Sequence, residues 1–188
     1  PEEYVRRLRR SIDALPAAPS QAAPYFPLLV EKILARGELL PATWPVEGTT
    51  GYGFMNDVNG VFVDASQGEA LRQIYHIVSG RRESFAEVSY RSRRLVTRSS
   101  MASELTVLTQ RLKRVADADR KTRDFTSATL SRAISEVSSC MPVYRTYVSR
   151  AGFSAIDRET IDVAIDRARR FNPVMSPAVF LFLRGIGS

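Results

Sequence analysis

Residues 103–118 read SELTVLTQRLKRVADA and predict an amphipathic helix of a helical bundle. Four large apolar side chains of this stretch recur at intervals of three and four residues, which places them on one face of an α-helix. They are Leu105, Leu108, Leu112 and Val115. The helical pattern extends upstream, so we expect residues 84–118 to form one long helix or two helices in line. An apolar face of this length needs helical partners, as in a bundle.

Further apolar stripes at helical spacing lie on both sides of this segment. They are Leu71, Ile74, Tyr75 and Val78 upstream, and Leu130, Ile134, Val137, Ile161, Ala164, Ile165 and Ala168 downstream. Gly80 and Pro142 are stop signals, Asp157 is a candidate cap, and Pro177 can open a last apolar helix. We therefore predict a mainly α fold in which residues 65–188 form a bundle-like helical domain.

Residues 1–64 have a different, mixed pattern. A first helical stripe ends at Pro16, and residues 17–24 resemble a loop because they are rich in proline and alanine. Residues 28–30 form a short apolar run, which is typical of a strand buried on both faces of a parallel sheet. Residues 35–51 are irregular by composition. Because a lone short strand has no sheet to join, we expect this part to be less ordered than the helices or to rest on them.

The positive charge of the chain is concentrated in its second half. The 188 residues carry a formal net charge of +7, and residues 81–150 hold 15 Lys and Arg against 7 Asp and Glu. Such a stretch could make a basic helical module that binds nucleic acid or a partner protein. Its arginines are not interleaved with aromatic residues, and no helix-turn-helix pattern is evident. A solvated helical surface is therefore favoured, and nucleic-acid binding is not expected.

Cysteine and histidine are nearly absent from the chain, which excludes several kinds of site. Cys140 and His76 are the only two, so an internal disulfide, a zinc cluster and a His-based nucleophilic triad are all disfavoured. No apolar run approaches the ~20 residues of a membrane span, and no signal-peptide pattern is present. We expect a cytoplasmic protein with no metal, cofactor or membrane contact, in which Cys140 has a packing role and His76 a helix-surface role.

Glu31 is the candidate catalytic residue on physical grounds. It directly follows the predicted strand, and barrel enzymes place their catalytic groups at the carboxyl ends of strands. Partial burial there would favour the protonated form of the carboxyl group and suit a general acid. The alternative is that Lys32 or another cation simply neutralises this carboxylate.

A series of motifs along the chain resembles the maltooligosyl trehalose synthase family of the α-amylase superfamily. The motifs are LVEKIL at 29–34, GELLP at 37–41, WPVEGTTGY at 44–52, residues 56–64, SEL at 103–105, TRDFT at 122–126, PVYRTY at 142–147 and FLFLR at 180–184. The resemblance spans nearly the whole chain, and a run such as WPVEGTTGY is specific.

This resemblance implies a reaction and a larger parent enzyme. The family converts the reducing-end α-1,4 linkage of a maltooligosaccharide into an α,α-1,1 linkage by retaining intramolecular transglucosylation. By its place in the motif, Glu31 corresponds to the general acid/base. The family's nucleophilic aspartate and third acidic residue have no matching positions here, so the chain resembles a middle fragment. Residues 1–64 would be a strand-and-loop piece of a (β/α)8 barrel, and residues 65–188 would be a helical insertion domain. The fragment alone would be inactive without the rest of the barrel.

The resemblance also suggests substrate contacts. Trp44 and Tyr52 could stack on sugar rings, although Trp44 could equally be an ordinary loop anchor. Gly53 is a departure, since relatives usually have Asp after the Gly-Tyr pair. The acidic residues near Glu31 match neither missing catalytic position and are expected to be structural; they are Glu47, Asp57 and Asp64. Arg123 and Arg145 match family motifs, and we expect them to order the helical domain.

Overall fold

The computed structural model describes residues 1–15, 25–148 and 152–186, and its elements are mainly helical. Two strands and eight α-helices are present in these ranges. In chain order they are α1 (Glu2–Asp13), β1 (Leu29–Val30), β2 (Gly48–Thr49), α2 (Tyr52–Val61), α3 (Gly68–Ser79), α4 (Phe85–Ser99), α5 (Ala102–Asp117), α6 (Ser127–Ser139), α7 (Ala155–Phe171) and α8 (Pro177–Ile186). The predicted mainly α fold is confirmed. The loop predicted over residues 17–24, with the stop at Pro16, lies outside the described residues.

The chain divides into two compact units, residues 1–78 and 79–188. The sequence suggested a boundary near Asp64, where the barrel-like pattern gives way to the helical one, and that boundary stays a prediction. The structural division falls at the end of α3, and Gly80 directly follows that helix with φ at +66°. Backbone of that kind favours glycine, so the stop predicted at this residue is confirmed.

The first unit contains a small parallel sheet. Leu29 pairs with Gly48 and Val30 with Thr49. The expectation that the strand would have no partner is therefore wrong, because β2, which the sequence did not reveal, supplies one. The sheet has only two strands, so Leu29 is 51% exposed instead of buried on both faces. In the described part of this unit, Val5 of α1 is the one buried residue.

The second unit contains the hydrophobic core. Helix α6 contacts α4, α5, α7 and α8 and is thus the centre of this unit. The core residues are Ala116, Leu130, Ala133, Cys140, Ile165, Ala168, Met175, Val179 and Phe180. The segment predicted as one or two helices over residues 84–118 is two helices, separated at Ser100 and Met101. The bundle-like packing predicted for this region is confirmed.

Polar groups also define the ends of these helices. Ser84 is the N-cap of α4 and Ser154 is the N-cap of α7, each with a capping box to the acidic residue three positions on, Glu87 and Asp157. The cap predicted at Asp157 is therefore wrong, because Ser154 is the N-cap and Asp157 is the third helical residue of the capping box. Asp157 also accepts a hydrogen bond from the Tyr147 backbone N–H at 3.1 Å. Burial would raise the pKa of Asp157, but hydrogen bonds from Ser154 and the Tyr147 amide hold it below its ordinary value.

Candidate functional site

Glu31 lies at the carboxyl edge of the two-stranded sheet. The backbone carbonyl of Val30 accepts hydrogen bonds from the Lys32 N–H at 3.0 Å and from the Thr50 N–H at 3.2 Å. The first of these makes Glu31 the central residue of a tight three-residue turn. The second joins that turn to the residue that follows β2. The backbone therefore holds Glu31 at the strand end, where the sequence predicted it.

The side chain of Glu31 is exposed in this chain. The partial burial expected from a strand end is therefore not observed among the described residues. Lys32, the cation considered as its neutralising partner, forms an ion pair with Glu38 at 2.5 Å, and both of these side chains are largely buried. The Glu38 carboxylate also accepts a hydrogen bond from the Ala35 N–H at 2.9 Å, which fixes the loop that leaves β1.

Trp44 and Tyr52 lie on either side of β2 along the chain. Trp44 is half-buried in a turn, where its backbone N–H donates to the Pro41 carbonyl at 3.0 Å. Tyr52 is exposed and begins α2, directly after Gly51, whose φ of +77° turns the chain from strand to helix. Tyr52 thus shares the carboxyl edge with Glu31, whereas Trp44 precedes the strand. Gly53 lies in the first turn of α2 with open space around the position of a Cβ atom.

Two of the neighbouring carboxylates, Glu47 and Asp64, have structural partners. Glu47 forms an ion pair with Arg9 of α1, in which one terminal nitrogen of the guanidinium donates to both carboxylate oxygens, at 2.7 and 2.6 Å. Hydrogen bonds from the Tyr25 side chain, the Leu28 amide and Arg9 lower the pKa of Glu47 to about 2. Asp64 caps a short 3-10 turn by accepting from the Ser66 N–H at 2.9 Å. The structural roles expected for Glu47 and Asp64 agree with these contacts.

A buried carboxylate in the second unit was not anticipated from the sequence. Glu136 of α6 is 0% exposed. One of its oxygens accepts hydrogen bonds from the Tyr90 hydroxyl and from the Asn172 side-chain amide, the latter at 3.0 Å. The other oxygen lies 3.0 Å from the Arg94 guanidinium and 3.7 Å from that of Arg98. We call this set the Glu136 cluster.

The Glu136 cluster connects three helices and is held in place by packing around it. The Tyr90 ring stacks on Phe171 with centroids 4.1 Å apart, and Asn172 also donates to the Ala168 carbonyl at the end of α7. The sequence does contain a signal for this cluster. Glu136 comes three residues after Ala133 and four before Cys140, so it occupies the core face of α6.

The remaining candidate residues have no catalytic arrangement. His76 is half-exposed on α3, and Cys140 is 6% exposed in the core, where burial raises the pKa of its thiol to about 11. Arg123 is near Asp124 at 4.0 Å on the surface, and the Arg145 guanidinium lies 4.9 Å from the centre of the Tyr147 ring. Within residues 1–15, 25–148 and 152–186, no group of three or more metal-ligating side chains occurs, and no helix is long and apolar enough to span a bilayer.

Comparison with known proteins gives matches in both sequence and structure. Over 43 residues, 23% of this chain, the sequence is 51% identical to a putative maltooligosyl trehalose synthase of Mycobacterium tuberculosis, and this stretch is 6% of that protein. The fold matches the maltooligosyltrehalose synthase of Arthrobacter ramosus with a TM-score of 0.71 and 26% identity over 98% of this chain. A second solved structure, the DSM5389 glycosyltrehalose synthase, matches with a TM-score of 0.57 and 26% identity over 97% of the chain.

These matches cover only part of each relative. The chain spans 20% of the Arthrobacter ramosus structure and 21% of the DSM5389 structure. No family model matches the chain. The resemblance to maltooligosyl trehalose synthase that the motifs indicated is nevertheless confirmed, because the sequence match and the fold matches point to the same family.

Proposed function

We propose that this chain, which resembles the maltooligosyl trehalose synthases in sequence and in fold, is part of an enzyme that rearranges maltooligosaccharides. That enzyme would convert the reducing-end α-1,4 linkage into an α,α-1,1 linkage and leave a trehalose end, as an intramolecular glucosyl transfer with retention. The rest of its catalytic barrel would be the partner of this chain. With one buried thiol and no disulfide partner for it in the sequence, the reducing cytoplasm is the proposed location.

Glu31 would be the general acid/base of this reaction. A retaining mechanism needs two carboxyl groups roughly 5–5.5 Å apart, one as nucleophile and one as acid/base. Glu31 would first donate its proton to the glycosidic oxygen as the reducing-end glucose leaves. It would then accept the proton of the anomeric hydroxyl of that same glucose as this hydroxyl attacks the glycosyl–enzyme intermediate. The glucose thus takes the place that water has in hydrolysis.

The observation that carries this proposal is the backbone at the sheet edge. Glu31 follows a parallel strand and is held in a turn that the Val30 carbonyl closes. Exposure of the carboxylate on this edge leaves it accessible to a second carboxyl group and to a sugar. Tyr52, which begins α2 on the same edge, would supply an apolar ring face for a glucose unit, and Trp44 would supply another if its ring faces the substrate.

The test is to replace Glu31 in the full-length enzyme that contains this chain. With maltopentaose as substrate, Glu31→Gln is expected to lower kcat by about 10²- to 10⁴-fold, because an amide cannot transfer the proton. Glu3→Gln is the matched control, since Glu3 is an exposed carboxylate on α1 of the same unit. Retention of synthase activity by the Glu31 variant would contradict the assignment. The 188-residue chain alone is expected to form no trehalose end, since it has no nucleophile at the family's position.

A further inference from the structure

The contacts of Arg9 join the two segments that lead into β1 and β2. Its guanidinium donates to both carboxylate oxygens of Glu47, at 2.7 and 2.6 Å. A second nitrogen donates to the Phe26 carbonyl at 2.9 Å, and Nε donates to the Pro45 carbonyl at 3.4 Å. One side chain of α1 therefore bonds to backbone ahead of both strands. This use of a planar, multi-donor fork is specific to arginine.

Glu47 completes the connection between the strands. Its carboxylate accepts a hydrogen bond from the Leu28 N–H at 2.5 Å, and its own N–H donates to the Leu28 carbonyl at 3.0 Å. Leu28 is thus bonded to Glu47 through both of its backbone polar groups. This pair precedes the Leu29–Gly48 and Val30–Thr49 pairs in the ladder. We call Arg9, Leu28 and Glu47 the strand-entry clamp.

The clamp fixes the register of a very short ladder. With two residues in each strand, the ladder itself supplies few hydrogen bonds, and a sheet of this size is marginal without further support. A slip of one residue would move every side chain to the opposite face. Glu31 follows directly after the second pair, so the register that the clamp sets also sets the direction of the Glu31 side chain.

The Glu47 carboxylate of the strand-entry clamp also stays ionised at neutral pH. The Tyr25 hydroxyl, the Leu28 amide and Arg9 together lower the pKa of Glu47 to about 2. The carboxylate therefore remains a charged acceptor for Arg9 throughout the neutral range. The Arg9 side chain is itself only 14% exposed, which limits screening of the pair by solvent.

We infer that Arg9 and Glu47 are positioning residues for the catalytic carboxyl group of Glu31, acting through the register of β1 against β2. They hold no substrate and transfer no proton themselves. This inference rests on the proposed function, because it requires Glu31 to be the acid/base. A positioning role differs from a purely structural one in its consequence. Loss of the clamp should misplace one catalytic group, Glu31, while substrate binding elsewhere remains intact.

The experiment measures kcat and KM of the full-length enzyme with maltopentaose for Arg9→Ala and Arg9→Lys. Arg9→Ala is expected to lower kcat about 10- to 100-fold, the loss typical of a catalytic group displaced by about 1 Å, with KM changed less than about twofold. Arg9→Lys keeps the charge but not the fork, and is expected to give an intermediate kcat. Arg6→Ala is the matched control, since Arg6 lies on the same helix and forms an exposed ion pair with Glu2 at 2.8 Å.

The outcomes separate this inference from the proposed function. If Glu31→Gln is inactive while Arg9→Ala and Arg9→Lys keep the wild-type kcat, the positioning role is wrong and the proposed function stands. If Glu31→Gln stays active, the proposed role of Glu31 is wrong, and the positioning role that depends on it is wrong as well. Should Arg9→Ala unfold, as seen from its thermal transition, Arg9→Lys decides: a kcat equal to wild type overturns the inference, and an intermediate kcat at unchanged KM supports it.

Discussion

Glu136 shows how one residue can organise a helical core. A fully buried carboxylate is costly unless it is paired and hydrogen-bonded, and here both oxygens have cationic or hydrogen-bonding neighbours. The neighbours come from different helices, with Tyr90 and Arg94 on α4 and Asn172 at the end of α7. We therefore expect Glu136 to help fix which face of α6 meets its neighbours, a choice that apolar residues alone leave more open.

Replacement of Glu136 is expected to destabilise the second unit. Glu136→Ala should lower the free energy of unfolding by about 1–3 kcal/mol, because Asn172 loses a buried acceptor and Arg94 loses its ion pair. Glu136→Gln should lower the free energy of unfolding by a smaller amount, since its amide oxygen can still accept hydrogen bonds from Tyr90 and Asn172. Urea unfolding followed by circular dichroism measures both values.

The control for this comparison is Glu159→Ala, which removes an exposed carboxylate from α7. Its effect is expected to stay within about 0.5 kcal/mol, as for most surface substitutions. A Glu136→Ala variant as stable as the Glu159→Ala variant would show that the cluster does not stabilise the fold.

At the scale of elements, the pairing of β1 with β2 is expected to depend on pH. The folded-state pKa of Glu47 is lowered from 4.5 to about 2, so its contribution to stability is complete above about pH 5. That contribution decreases as the pH falls from about 4.5 towards 2 and the carboxylate takes up a proton. Trp44 is the one tryptophan of the chain and lies between the strands in sequence, so its fluorescence reports this loss.

Two variants test the origin of that acid transition. Glu47→Gln should already show altered Trp44 fluorescence at pH 7, with little further change between pH 4.5 and 2. Asp64→Asn is the control, because the pKa of Asp64 is also lowered, first by the Ser66 side chain, but Asp64 caps a different element. Loss of the transition in Asp64→Asn, with its retention in Glu47→Gln, would reverse the assignment.

Most helices of this chain were predictable from its sequence, whereas β2 was not. Periodic apolar residues and stop signals such as Gly80 depend on local chemistry, which a sequence displays directly. The strand of Gly48 and Thr49 has no apolar alternation, and the contacts that hold it beside β1 come from Arg9, Leu28 and Glu47, which are far apart in sequence. Glu31 was identified from a local motif and its place after a strand. Its turn and exposure depend on pairing with residues distant in sequence, which no local pattern specifies.

At the scale of the whole molecule, burial is distributed very unequally between the two units. Apart from Val5, the buried side chains of the described ranges all belong to residues 79–188. Helices α2 and α3 contain no buried residue, although apolar side chains such as Phe54 and Ile74 lie on them. Local stability follows buried apolar contacts, so the two units should differ strongly in how often they open.

Amide hydrogen exchange of the 188-residue chain should show this difference. We expect the slowest exchange in α6 and α7, whose amides open only with the core, and the fastest helical exchange in α2 and α3. The comparison is internal, because all four helices are measured in one sample at one pH. Equal protection of α2 and α6 would contradict it, and would mean that α2 and α3 have stabilising partners in solution.

The buried thiol of Cys140 is a chemical probe of the core of the second unit. It is the one cysteine in the sequence and is 6% exposed in the core, at the C-terminal end of α6. Its raised pKa leaves little thiolate at neutral pH. Thiol reagents attack the thiolate. Alkylation of the native chain is therefore gated by opening of the bundle. The alkylation rate of Cys140 therefore measures how often the bundle opens, without an added label or residue.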